Sequence, residues 1–179
     1  MHLRYSKAAG TPVVEDMTEE PIGTISGILL HPDLGKVEGF FVAIRGFLHT
    51  TELFLPAPDI RHWGSRVRIR DADVLAPIED HVRLQRLMEE GRLLLLQPIV
   101  TESGRPLGIC RDVQFQTSTY MLEWIFPRRF FRWGRPIPAN AIIEVRPEAI
   151  IVREVQMSTE TIEGVSAFPT LEALPNAGG

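Results

Sequence analysis

Ten residues, Phe126-Pro127-Arg128-Arg129-Phe130-Phe131-Arg132-Trp133-Gly134-Arg135, hold the side chains of this sequence best suited to chemistry, and the chemistry is recognition. Four arginines are interleaved with four aromatics. A guanidinium offers a planar fork of donors that matches carboxylate or phosphate, and it stays charged at any physiological pH. Aromatic rings stack on bases, plug apolar pockets or lodge at a lipid headgroup boundary. The candidate contact residues are therefore Arg128, Arg129, Phe130, Phe131, Arg132, Trp133 and Arg135. The competing arrangement folds Phe130, Phe131 and Trp133 back as core and leaves the arginines on the rim.

Residue types that build catalytic and metal sites occur, but not grouped. His2, His31, His49, His62 and His81 are scattered, with no H-x-x-x-H or carboxylate-linked spacing. Cys110, the single cysteine, rules out an internal disulfide. It sits in an apolar stretch, where a buried inert thiol is expected rather than a nucleophile. Glu19-Glu20 and Glu89-Glu90 read as solvated charge. The expectation is a non-enzyme with no catalytic residue, no metal site and no cofactor.

The elements that must position the arginine–aromatic segment are set by an internal repeat. Pro21-Ile22-Gly23-Thr24-Ile25 is answered, at an offset of 85, by Pro106-Leu107-Gly108-Ile109-Cys110. Leu55-Pro56-Ala57 and Ile60 recur at an offset of 82 as Ile137-Pro138-Ala139 and Ile142. Two copies of one small unit follow. Each alone would bury only about 60% of its unfolded surface, so the copies are expected to pack together or to exchange a strand.

The periodicity within each copy is mostly two, the signature of strands. In the first, residues 23–30 and 37–44 flank a Pro32-Asp33-Leu34-Gly35 turn, followed by extended residues 52–56, a helical turn at 57–60 and a closing strand at 67–70. In the second, strands are expected at 97–100, 108–115, 120–126, 135–138 and 149–155. That plan places the arginine–aromatic segment in a long connection after the second strand. Between the copies, Ile78, Val82, Leu87 and Met88 approximate a helical stripe that Gly91 would stop. After Gln156 the pattern dissolves into a flexible tail, in which Phe168, Leu171 and Leu174 could act as a short docking motif. The fold expected is mainly β: two tandem small β-barrels, residues 1–76 and 92–156, joined by a linker helix at 77–91, with a disordered tail at 157–179.

Charge separates the copies further. Over the whole chain the net charge is -4, against a nucleic-acid binder of the general basic kind. Residues 98–153, however, carry a basic excess, and residues 154–179 carry four acids and no base. No apolar run reaches the roughly 20 residues that span a bilayer, and Met1-His2-Leu3-Arg4 opens without a signal-peptide core. A cytoplasmic protein, peripheral to a membrane at most, is the expectation.

Gly23-Thr24-Ile25-Ser26-Gly27-Ile28 with Pro56-Ala57-Pro58-Asp59-Ile60, and Gly108-Ile109-Cys110-Arg111-Asp112-Val113 with Pro138-Ala139-Asn140-Ala141-Ile142, resemble the PRC-barrel family. That small barrel occurs in the cytoplasmic subunit of photosynthetic reaction centres and in a ribosome-maturation factor. The resemblance runs from Leu3 to Val155 and rests on scaffold residues. It implies the barrel fold and a tendency to bind partners, and brings no catalytic residue. This chain departs from the first relative in lacking a membrane helix, and from the second in having a further copy in place of a different N-terminal domain. Three partners follow in order: a protein, met by the second copy's arginine–aromatic loop; the face of a membrane or membrane complex, met by the same loop; and RNA or the ribosome. The equivalent loop of the first copy, Arg45-Gly46-Phe47-Leu48-His49, is far less basic.

Overall fold

In the computed structural model, which describes residues 1–46 and 49–154, the chain is mainly β and forms two sheets. After β1 (His2–Arg4) and the single turn α1 (Tyr5–Ala8) come β2 (Pro12–Glu15), β3 (Pro21–His31), β4 (Lys36–Arg45) and β5 (Thr50–Pro56). A 3-10 turn at Ala57–Asp59 leads into β6 (Ile60–Trp63) and β7 (Val67–Ile69). A 3-10 turn at Ile78–Asp80 then precedes α2 (Val82–Glu89). The second copy contributes β8 (Pro98–Thr101), β9 (Pro106–Gln116), β10 (Leu122–Arg129), β11 (Arg132–Trp133), β12 (Ile137–Pro138), a 3-10 turn at Ala139–Ala141, β13 (Ile142–Val145) and β14 (Ile150–Val152). The expected tail, 157–179, lies outside the described residues. No helix among the described residues is long and apolar enough to cross a membrane.

The repeat is a repeat of topology. The first sheet runs β5-β4-β3-β2-β7-β6 and the second β11-β10-β9-β8-β14-β13, with β12 also on β10. Each contains one parallel pair at the same place, Val13 opposite Val67 and Ile99 opposite Ile150. Even the contacts that demand glycine repeat. A Cβ on Gly23 would lie 2.6 Å from the Ala43 carbonyl oxygen, and one on Gly108 would lie 2.8 Å from that of Arg128. The motif glycines thus let two backbones approach closely. Neither ladder closes on itself: β5 and β6 end the first, β11 and β13 the second. β2 and β6, unread in the sequence, do not alternate: Val13 and Val14 are buried side by side, and β6 buries only Ile60.

The copies meet around an approximate dyad. Val37 N–H donates to the Tyr120 carbonyl and Leu122 N–H to that of Gly35, both at 2.7 Å. Since an offset of 85 carries Gly35 to Tyr120 and Val37 to Leu122, one bond is the image of the other, the reciprocity of an isologous contact. Gly35 and Tyr120 share the left-handed backbone, φ 56° and 58°. Glycine takes it freely, whereas tyrosine pays about 1–2 kcal/mol. The Tyr120 hydroxyl accepts a bond from the Trp63 indole N–H at 3.2 Å, an anchor that helps hold it there. Beneath, Phe40, Trp63 and Phe115 form a triangle with ring centroids 5.0–6.1 Å apart. They belong to one apolar cluster fed by both copies.

The N-terminal strand is exchanged. β1 pairs not with the first copy but with β9 of the second, Leu3 opposite Phe115. Ser6 follows it, donating from its N–H and its hydroxyl to the two oxygens of Asp112 at 2.9 and 2.6 Å. Asp112 is 1% exposed, and its further bond from Val113 N–H helps satisfy an otherwise costly buried carboxylate. The segment between the copies packs on the first: Leu84 and Leu87 of α2 cover Leu29 and Phe54. The stripe read from sequence is displaced, because α2 starts at Val82 and turns that residue outward, 64% exposed.

A polar clamp adds to the dyad contact. Arg92 donates through Nε to the Val145 carbonyl at 2.7 Å and grips Asp33 with both terminal nitrogens. The bond from Arg92 holds the Asp33 carboxyl below its ordinary value of 3.8, against the opposing effect of burial. The lowered value means the folded state prefers ionised Asp33. Its contribution is complete above the ordinary aspartate value and is lost as pH falls through the depressed one. Asp33 is largely exposed, so the contribution is small.

Two outcomes are expected. Phe115→Ala should cost about 3–5 kcal/mol in urea unfolding while leaving a single transition; two separate transitions would show that the copies do not share a core. Asp33→Asn should flatten the fall of melting temperature with acid below about pH 4, and parallel curves for variant and wild type would mean the clamp adds nothing.

Candidate functional site

β10 extends further than its sequence suggests, and this changes the nature of the candidate segment. Pro127 has no N–H to give a ladder, yet it lies within the strand, at the register shift between Phe126 and Pro127 where a bulge relieves the missing bond. The strand continues to Arg129 and turns directly into β11, Arg128 opposite Trp133 and Arg129 opposite Arg132. The expected long connection is therefore a tight hairpin whose tip is Phe130-Phe131. Gly134 N–H donates to the Pro127 carbonyl at 2.9 Å and helps close its base.

The arrangement of rings is nearly the inverse of a core. Phe131 is 91% exposed and Phe130 84%, with Trp133 at 54%. Of the four aromatics only Phe126 is buried, with the Arg4 guanidinium 3.8 Å above its ring centroid. Phe130 has φ 52°, a left-handed conformation uncommon for a bulky side chain. The backbone bears this strain to make a two-residue turn, and the turn carries both rings outward.

The arginines divide by depth. Arg129, Arg132 and Arg135 are exposed. Arg128 is half-buried, its guanidinium carbon 5.4 Å from the centroid of the Trp133 ring it faces across the ladder. Its Nε is enclosed without a hydrogen-bond partner among the described residues. None of the four forms an ion pair with a carboxylate among the described residues. The register of β9 against β10 brings the β8–β9 turn to the same end of the sheet. There Glu154 lies 3.4 Å from Arg105, and a Glu102 oxygen accepts the Glu154 N–H. Those two carboxylates sit at the β8–β9 turn, and the hairpin itself presents a positive collar of Arg129, Arg132 and Arg135 beneath an apolar tip.

Elsewhere the described residues offer two shallow grooves. One of about 370 Å³ is lined by Lys36, Glu38, Pro56, His81 and Arg83. Arg83 and Glu38 are bound to each other at 2.6 Å, which leaves little charge to attract a ligand. The other, about 420 Å³, opens between the copies along Leu34, Leu94, Met121, Ile142 and Ile143. No group of three or more His, Cys, Asp or Glu side chains able to hold a metal occurs among the described residues. Burial pushes the Cys110 thiol up to about 12, so thiolate is scarce at neutral pH.

All seven residues singled out from sequence lie on or beside this one hairpin, Arg135 just beyond β11. Sequence reading missed the pairing of Arg128 with Trp133. The signal was present: two arginines flanking a two-residue tip, with the next pair outward forced into register. No protein-family model matches the chain, and no curated protein matches it in sequence.

Proposed function

We propose that this chain is a non-enzymatic adaptor, two units of the PRC-barrel type with open sheets, whose second copy docks on a partner through the β10–β11 hairpin. The identical strand order of the two sheets supports the paired-unit reading. The observation that carries the docking reading is the exposed tip: two phenylalanines and a tryptophan held in solvent above arginines that form no ion pair with a carboxylate among the described residues. Exposed apolar side chains in one place are a cost that a partner's surface removes. Tryptophan and arginine are also the residue types that concentrate binding energy at contacts. The scaffold's task is to hold the tip rigid.

Arg129 and Arg132 are the residues to reverse in charge, since Arg128 is half-buried and a glutamate there would disturb the fold. Arg129→Glu/Arg132→Glu should melt within a degree or two of wild type, as surface changes do. Immobilised beside wild type and exposed in turn to the soluble and membrane fractions of its own cell lysate, it should lose what wild type retains. Equal retention by both would remove the hairpin as the docking element.

A further inference from the structure

Shape and charge at the hairpin tip distinguish between surfaces it could meet. A stable protein contact buries about 1,200–2,000 Å² and needs a broad complementary face around its anchor. Among the described residues little such face lies behind Phe130 and Phe131: Arg129, Arg132, Gly134 and Arg135 are all exposed and are charged or lack a side chain, and the apolar surface beside them is Trp133 and, across Arg128, the edge of Ile109. Both grooves are lined by other residues. What remains is a convex apolar point on a charged collar. A bilayer accepts such a point without a pocket, because acyl chains close around it.

The collar fits the headgroup layer above those chains. Each exposed arginine can bind phosphate through its fork of donors. Trp133, half-exposed in the second register pair below the tip, stands where amphipathic rings settle at a membrane–water boundary.

Resting on the docking reading above, we propose that the β10–β11 hairpin is an anchor for anionic lipid. Phe130 and Phe131 enter the upper acyl region, Arg129, Arg132 and Arg135 bind lipid phosphates, and Trp133 lies at the boundary. Two phenyl rings and a few guanidinium groups make the attachment reversible, well short of a spanning helix.

The test is co-sedimentation of the full chain with phosphatidylcholine vesicles that contain or lack phosphatidylserine. Wild type should bind only the anionic vesicles, less as salt rises, with a blue shift in tryptophan emission that Trp133→Phe abolishes. Arg129→Gln and Arg132→Gln should each weaken binding about fivefold, and Phe130→Ser/Phe131→Ser by at least about tenfold, all without loss of melting temperature. If folded wild type ignores anionic vesicles at low salt while the lysate experiment still separates it from the charge-reversed variant, the lipid inference falls and the docking reading stands. Retention on single-stranded RNA instead of vesicles has the same meaning. If vesicle binding is unchanged in all these variants, lipid meets another face and the anchor is overturned. If only the arginine variants weaken, binding is purely electrostatic and the insertion of the tip is overturned.

Discussion

Two backbone hydrogen bonds across the approximate dyad, Val37 to Tyr120 and Leu122 to Gly35, set the constraint on which the rest of the structure depends. They join the turn of one hairpin to the turn of the other and so fix how the sheets face. With that orientation set, Phe40, Trp63 and Phe115 converge into a single core that neither small unit could build by itself. The exchanged strand, the clamp of Arg92 on Asp33 and the tyrosine hydroxyl on Trp63 all add to the same contact. The geometry also accounts for Tyr120. A left-handed residue is needed at the turn, the first copy meets the need with glycine, and the second meets it with a side chain that gains a partner there.

The same frame sets what the far end of the molecule can do. β9 ends at the dyad turn and β10 starts from it, so the opposite end of β10 projects from a fixed base. Gly108 tightens that base by bringing the β9 backbone against Arg128. Arg128, half-buried and stacked on Trp133, belongs to the support of the hairpin more than to its outer surface. The exposed groups are then few: two rings at the tip and arginines around it. In the first copy the equivalent hairpin runs Arg45 opposite Thr50, and its basic content is smaller. One frame carries two different ends.

Much of this was legible in the sequence, and the parts that were not have physical reasons. Repeated Gly, Pro and Ile positions disclosed the two units because those residues answer local backbone demands. The long hairpins β3–β4 and β9–β10 announced themselves by alternation and, in the first, by turn chemistry. The exchange of β1 onto β9 was foreseen only as one of two options, since a three-residue strand carries no label for its partner. Asp112 gave no hint of burial because its partner, Ser6, is 106 positions away. Sheets that stay open could not be told from barrels, as closure depends on a few bonds between end strands rather than on any pattern within them. The site residues were legible by type; their exposure was not. Phenylalanines beside arginines read equally as core and as contact until Pro127 proved to lie within the strand.

The dyad is drawn between two halves of one polypeptide, and that has a consequence for how such a protein can change. In an association of identical subunits every substitution appears twice, so an aromatic tip gained by one subunit is gained by its mate, and a tyrosine placed in a strained turn strains both. Here a substitution lands once. The linker also keeps each half at a high local concentration of the other, so the contact survives weakening that would dissociate separate chains. The backbone symmetry of the contact therefore persists while the side chains on its two sides are free to differ. A glycine can face a tyrosine across the axis, and a nearly neutral hairpin can coexist with one crowned by phenylalanine and arginine.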